Sequence, residues 1–271
     1  MKAKRILPPK FLAAMVAVLP LPGSPLYDGD DQRVVDQALA DLEVYKSAGV
    51  DSILFENDHD LPYIQPPLDE RGIALMTRIV KAARERYEGP IGIQMLEAAN
   101  ITSLEIAAEA DLDYIRVEAY VFAHVGGSGV INSSAGKILR RRKELGTEHI
   151  KVFADVKKKH GSHSLTIDLT ITDEIQQAEF FLADGVIVTS QFTGIHPNKN
   201  DLIKAKEATA LPVLVGSGMN AENIPDYLPL ADGFIVGSYF RRDGRFLEKL
   251  EPERLQRFME IFVQERNRIL K

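Results

Sequence analysis

Short apolar runs rich in β-branched residues alternate along this chain with longer stretches in which apolar residues recur every three or four positions. The short runs fall at 12–18, 52–56, 91–96, 114–118, 151–156, 186–189, 212–215 and 233–236, and predict eight strands. Between them the helical periodicity predicts helices from Asp30 to the Gly49 stop, then at about 71–87, 101–110, 135–145, 172–182, 200–208, 220–228 and 251–270. The first shows the pattern plainly: Val34, Val35, Ala38, Leu42 and Tyr45 share one face. Strands separated by helices pair in parallel, and eight of them close into a (β/α)8 barrel, so the expected fold class is α/β.

The N-terminus tests this reading. Met1-Lys2-Ala3-Lys4-Arg5 followed by the apolar run 11–19 has the layout of an export signal. Pro8, Pro9 and Lys10 interrupt it, the run is too short to span a bilayer, and its removal would delete a strand that a closed barrel needs. It is therefore expected to stay as the first strand, leading into the proline-stiffened loop Leu19-Pro20-Leu21-Pro22-Gly23-Ser24-Pro25. A length of 271 residues suits one barrel domain, 1–271, without a linker.

Charge narrows the partners. A net charge of -6 and a pI near 5.6 argue against a nucleic-acid binder, which needs a basic face. Arg140-Arg141-Arg142-Lys143 is a local basic run on a helix, read as a solvated face, with attraction to an acidic partner or membrane surface as the other reading. The chain has no cysteine, which removes disulfide and thiol chemistry and fits a reducing, cytoplasmic setting as well as it fits export; the cytoplasm is the expected location.

Chemistry in this fold collects at the C-terminal ends of the strands. Two consecutive strands, the seventh and eighth, end in Gly-Ser: Gly216-Ser217-Gly218 and Gly237-Ser238. The amides of these five residues, with helix amides at about Met219 to Ala221, are expected to converge on a phosphate, the position at which such barrels commonly hold one. Other strand ends carry Glu56, Asn57 and Asp58; Gln94 and Glu97; Arg116 and Glu118; Asp155, Lys157, Lys159 and His160; and Ser190 and Thr193. Arg116 and Glu118 share a face because the strand period is two, and so should Asp155 and Lys157. A guanidinium cannot shed its charge, so Arg116 must be met by carboxylates, with Glu56, Glu118 and Asp155 the candidates, or by an anionic substrate. A constellation of Glu56, Arg116, Glu118 and Asp155 suits acid–base work on a polar substrate or a buried ion-pair network, and His160 beside Lys159 is the better proton-transfer candidate near neutral pH. Gly126-Gly127-Ser128-Gly129 is expected to form a lid loop. The histidines His59, between Asp58 and Asp60, and His160 and His163 permit a divalent site on paper, but neither a metal nor another cofactor is expected.

Taken in order, several blocks resemble the BtpA/SgcQ family over nearly the whole chain. They are the run from Met15 to Pro25, Gly49 to Asn57, Tyr114-Ile115-Arg116-Val117, Ala154-Asp155-Val156 with Lys159-His160, Ala183 to Val188 with Thr193-Gly194, Val215 to Gly218, and Ala231 to Ser238. The resemblance implies a barrel of the ribulose-phosphate-binding type. Its cyanobacterial founder is a photosystem I biogenesis factor at thylakoid membranes, whereas other members sit in apparent sugar-utilisation operons. Departures from the family pattern stand at Ala17, Glu97, Ala98, Ala99, Glu118 and the 126–129 loop, all at strand ends, while Glu56, Asn57, Arg116, Asp155, Lys159, His160 and the Gly-Ser turns follow it. The expected function is an enzyme, or a barrel descended from one, that binds a small phosphorylated metabolite, with isomerase, lyase and hydrolase steps all open. The alternative is a non-catalytic photosystem I assembly factor touching a membrane peripherally. A homo-oligomer is compatible with either.

Overall fold

A computed structural model of the chain describes residues 5–190, 192 and 194–271. Residues 1–4 of the basic N-terminal stretch and the candidate Thr193 lie outside the described residues. Eight parallel strands close a barrel: β1 Phe11–Ala17, β2 Ser52–Glu56, β3 Ile91–Gln94, β4 Tyr114–Val117, β7 Lys151–Val156, β8 Gly185–Val188, β9 Val213–Val215 and β10 Gly233–Val236. The first and last strands meet in parallel, Phe11 opposite Gly233 and Ala14 opposite Val236. The other two strands, β5 His124–Gly126 and β6 Gly129–Ile131, form a separate hairpin at the barrel mouth.

Eight helices accompany the strands: α1 Asp31–Ser47, α2 Glu70–Arg86, α3 Asn100–Glu109, α4 Ala135–Glu144, α5 Ile171–Phe180, α6 Lys199–Ala208, α7 Ile224–Tyr227 and α8 Pro252–Ile269. Their starts are written locally. Asp30 accepts from the Arg33 amide, Asp69 from the Arg71 amide, and Thr170 with Asp173 forms a reciprocal capping box. Helix α1 buries Val34, Val35, Ala38, Leu39, Leu42 and Tyr45 against the outside of the barrel, each of the larger apolar ones contributing about 1.5–3 kcal/mol. The Tyr45 hydroxyl donates to Met15 O at 3.0 Å, tying that helix to β1.

Alternation along the strands separates two cores. Leu12, Ala14, Val16, Ile53, Phe55, Ile93, Ile115 and Val117 belong to the layer beneath the helices. Phe11, Ala13, Met15, Leu54, Tyr114, Phe153, Ile187, Leu214 and Ile235 fill the barrel itself. The lower end is plugged by three aromatic rings, and glycine makes room for each on a neighbouring strand. A Cβ at Gly92 would lie 2.1 Å from the Tyr114 ring, and one at Gly233 would lie 2.3 Å from the Phe11 ring. Tyr114 meets Phe153 edge-on at 5.4 Å, and its hydroxyl shares a 2.9 Å hydrogen bond with Ser52 Oγ.

Two expectations change. The segment 220–228 is α-helical only over Ile224–Tyr227 and passes into a 3-10 helix at Leu228; ahead of it the Asn220 side chain accepts from the Asn223 amide at 2.8 Å and the Asn223 side chain accepts from the Asn220 amide at 2.9 Å, a reciprocal capping arrangement. The Asn220 amide is thereby spent on the Asn223 side chain and is not available to an anion. The glycine-rich stretch 126–129 is not an open loop but the turn of the β5–β6 hairpin, with Ser128 donating from its amide and hydroxyl to Glu97 Oε2 at 3.1 and 2.5 Å. The basic run on α4 is spent on neighbours: Arg141 pairs with Glu105 and Glu144, Arg142 with Asp184, and Lys143 with Glu148. That arrangement fits the solvated-face reading of the run.

Candidate functional site

The inward positions at the tops of β2, β3, β4 and β7 are Glu56, Gln94, Arg116 and Asp155, so strand alternation alone floors the mouth with polar groups. Arg116 is met by carboxylates. Its Nε and Nη2 donate in parallel to Asp155 Oδ2 and Oδ1 at 2.9 and 3.0 Å, and Nη1 donates to Glu56 Oε1 at 3.1 Å. The side chains are 4%, 0% and 6% exposed for Arg116, Asp155 and Glu56, which makes this an ion-pair network without screening by bulk water. Asp155 takes both parallel bonds and Glu56 only one. Burial therefore dominates at Glu56 and pushes its carboxyl up to about 7, against the pull of Arg116 and with a further push from Asp58.

Glu118 shares the inward face with Arg116 but pairs elsewhere. Its Oε1 lies 2.7 Å from Lys158 Nζ and accepts from Gln94 Nε2 at 2.9 Å, while its Oε2 is buried with no hydrogen-bond partner. Burial raises the Glu118 carboxyl, and Lys158 offsets part of that rise. Lys158 also reaches Glu97 Oε1 at 3.6 Å, linking the floor to the hairpin. The expectation that Lys157 shares the face of Asp155 fails. The strand ends at Val156, Lys157 turns into the left-handed region at φ 45°, and its Nζ pairs with Glu174 of α5 at 2.9 Å, outside the barrel. That turn sends Lys158 inward in its place. The run of three lysines was the only signal for Lys158, because strand parity no longer applies beyond the turn.

Above this floor opens a cavity of about 770 Å³, within the range of small-molecule sites. Of the expected site residues, Glu56, Arg116, Glu118, Lys159, His160, Gly216, Ser217, Gly218, Gly237 and Ser238 all line it, and Asp155 lies directly beneath, bonded to Arg116. The two halves differ in character. The side from β2 to β7 carries the charges, and the side from β9 to β10 is lined by glycine, serine and apolar groups. They meet where a Cβ on Gly216 would lie 3.3 Å from Arg116 Nη2. Sequence reasoning missed the wall formed by Phe192 and by Gly244, Arg245, Phe246, Leu247 and Glu248, loop residues without periodicity.

The five expected phosphate donors are not equivalent. The Gly216 amide is spent on Val188 O at 2.9 Å, completing the β8–β9 pairing, so it is not available to a ligand. The amides of Ser217, Gly218 and Ser238 have no acceptor among the described residues. Gly218 adopts φ +83°, and a Cβ there would sit 2.3 Å from the Ile195 and His196 backbone, so glycine is required by the loop packed over it.

Four charged side chains that line the cavity, those of Asp58, Lys159, Arg245 and Glu248, have no partner among the described residues, and the first two stand beside the charged floor. Neither the Lys159 ammonium nor the Asp58 carboxylate has a hydrogen bond or ion pair among the described residues, although both line the cavity. Lys159 is half-buried at the cavity wall. That burial, followed by the neighbouring Arg116 charge, lowers its ammonium below the ordinary lysine value, while Glu56 and Asp58 resist. Burial raises the Asp58 carboxyl. The histidines do not converge. His59 packs on Phe246, His160 stands against Phe192 with its proton affinity lowered by burial and then Lys159, and His163 lies against His124. No group of three metal-ligating His, Asp or Glu side chains occurs among the described residues.

Fold and cavity together define a (β/α)8 barrel with a ligand-sized site at its C-terminal mouth, and relatives support that class. The chain is 12% identical to thiamine phosphate pyrophosphorylase from Pyrococcus furiosus, with a TM-score of 0.58 over 94% of this chain and 96% of that one. It is 15% identical to N-(5'-phosphoribosyl)anthranilate isomerase from the same organism, with a TM-score of 0.56 over 94% and 99%. At such identities the likeness is one of fold. The family is given by sequence: the chain belongs to the BtpA family, whose model matches residues 9–264. It is 37% identical over 250 residues to the Caenorhabditis elegans "Uncharacterized protein F13E9.13, mitochondrial", covering 90% of each chain. It is 32% identical over 253 residues to the "Photosystem I biogenesis protein BtpA" of Synechocystis, covering 92% of this chain and 87% of that one. No helix among the described residues is long and apolar enough to cross a membrane.

Proposed function

We propose that this protein is an enzyme acting on a small phosphorylated metabolite. The phosphate is held by main-chain amides after β9 and β10, and the reactive end lies over Glu56, Asp58, Arg116 and Lys159. The observation that carries the reading is the set of amides at Ser217, Gly218 and Ser238 that have no acceptor among the described residues, placed on the glycine-lined side of a cavity whose opposite side holds acid and base groups. Unspent backbone donors in a concave, glycine-lined turn favour an oxyanion. Opposite them, a carboxyl poised to about 7 is a group that exchanges protons near neutral pH, and burial lowers the ammonium of the neighbouring Lys159 from its ordinary value. Relatives in a nematode and in the archaeon Thermococcus kodakarensis, neither of which carries a photosystem, favour a metabolic role over an assembly role for the family as a whole.

The test is a thermal-shift screen with inorganic phosphate and phosphorylated metabolites on the wild type and on two variants at Ser238. Ligand at a hundred times its dissociation constant should stabilise by about 2.7 kcal/mol. Ser238→Asp adds a carboxylate at the start of a short 3-10 turn, where it strains no backbone, and should abolish the shift by repelling the phosphate. Ser238→Ala keeps the amide and should retain it. Equal shifts in Ser238→Asp and wild type would remove this turn as the phosphate site.

A further inference from the structure

We propose that Lys159 is an imine-forming nucleophile, and that the substrate of this site carries an aldehyde or ketone within reach of its amine while its phosphate occupies the glycine side. The inference rests on the phosphate-site reading only for the second clause. Four observations carry the first. Lys159 lines the cavity, and its ammonium has no hydrogen bond or ion pair among the described residues. Its neighbour Lys158 is, by contrast, locked to Glu118 at 2.7 Å, and Lys157 is turned outward onto Glu174, so the three lysines of one run have three distinct duties. The Lys159 amide donates to Thr189 Oγ1 at 3.2 Å, anchoring the base of the side chain to the end of β8. Lastly, the charges that act on its amine are those of Arg116, Glu56, Asp58 and Asp155, a cation and three carboxylates from β2, β4, β7 and the loop after β2.

A lysine buried without a dedicated counter-ion gives up its proton more readily than one in water, and a neutral amine is the form that attacks a carbonyl. The direction of the Lys159 shift agrees with this geometry. The step balances without an outside reagent. The neutral amine forms a C–N bond to the carbonyl carbon, and the carbonyl oxygen takes a proton to give a carbinolamine. A second proton, delivered by a protonated carboxyl, releases that oxygen as water and leaves an iminium. Overall one ammonium and one carbonyl give one iminium and one water. Glu56 is the buried acid of the site, and Asp58 faces the cavity without a partner to balance the iminium charge. Such an iminium withdraws electrons from the adjacent carbon, which suits the lyase and isomerase steps that the barrel mouth can host.

Reductive trapping decides the matter. The intact protein is incubated with glyceraldehyde 3-phosphate, or with glyceraldehyde, in the presence of sodium cyanoborohydride, and the adduct is located by peptide mass mapping from pH 6 to 9. The expected result is a single adduct at Lys159, formed severalfold faster than at any other lysine near neutral pH, because its amine faces the cavity without a counter-ion and loses its proton more readily than a solvated one. Lys159→Arg, which keeps the charge but forms no stable imine, should lose the adduct with no labelling transferred to Lys158. Absence of a Lys159 adduct with both aldehydes, or labelling spread evenly over surface lysines, overturns the proposal. The two readings separate in one experiment. Labelling of Lys159 by both aldehydes at the same rate, unaffected by inorganic phosphate, would keep the nucleophile and discard the phosphate site. A phosphate-induced thermal shift without any Lys159 adduct would do the reverse.

Discussion

Replacing Arg116 by methionine tests whether the charged floor is a structural network. The substitution keeps an unbranched chain of similar reach and removes the guanidinium, leaving Asp155, whose side chain is 0% exposed, and Glu56, at 6%, without their cation. Three charge-assisted hydrogen bonds of 2.9–3.1 Å are lost together. Breaking a buried pair from one side costs about 3–5 kcal/mol, because the stranded carboxylate keeps its desolvation penalty. For a chain of this size that corresponds to a fall in Tm of roughly 6–15 °C. Urea unfolding at pH 7.5 should show the same loss as a lower midpoint at unchanged slope. The deficit should shrink in acid, where protonated carboxyls no longer need a cation, and it should be largely restored by adding Asp155→Asn, which removes the stranded charge itself. A loss below about 1 kcal/mol at pH 7.5 would refute the reasoning. It would mean that Arg116 is held for a ligand rather than by its carboxylates.

Glu56 and the aromatic plug supply two further tests. The Glu56 carboxyl is raised in the folded chain to about 7 from an ordinary 4.5, so its contribution to stability is fully present below the unfolded value and is lost as pH rises through the folded one. Glu56→Gln should therefore match wild type near pH 4 and become more stable by about 3 kcal/mol by pH 8, read by denaturant melts across that range; a difference independent of pH would sink the assignment. Gly92→Ala places a methyl group 2.1 Å from the fully buried Tyr114 ring and should destabilise by about 1–3 kcal/mol or more, whereas a melt within 0.5 kcal/mol of wild type, about the scatter of neutral surface changes, would show that the plug is loosely packed.

What could be read from the residues alone was whatever is encoded over a few neighbours. Strand and helix periods, with the helix start at Asp30 and the stop at Gly49, are local, and together they specified eight strands in one barrel. Because barrel chemistry collects at strand ends, the same local reading placed Glu56, Arg116, Glu118 and the two Gly-Ser turns around one mouth before any pairing was known. Pairing itself was decided only in three dimensions. Arg116 had three candidate carboxylates, and the stagger of neighbouring strands gave it Asp155 and Glu56 while Lys158 took Glu118. A left-handed residue at Lys157, which no alternation rule foresees, exchanged the roles of two adjacent lysines. The Gly216 amide was claimed by β8 and the Asn220 amide by the Asn223 side chain, so these turns keep fewer free main-chain donors than their glycines suggested. Which charges are left unpaired, Lys159 and Asp58 among them, depends on every neighbour at once and is a property of the closed barrel.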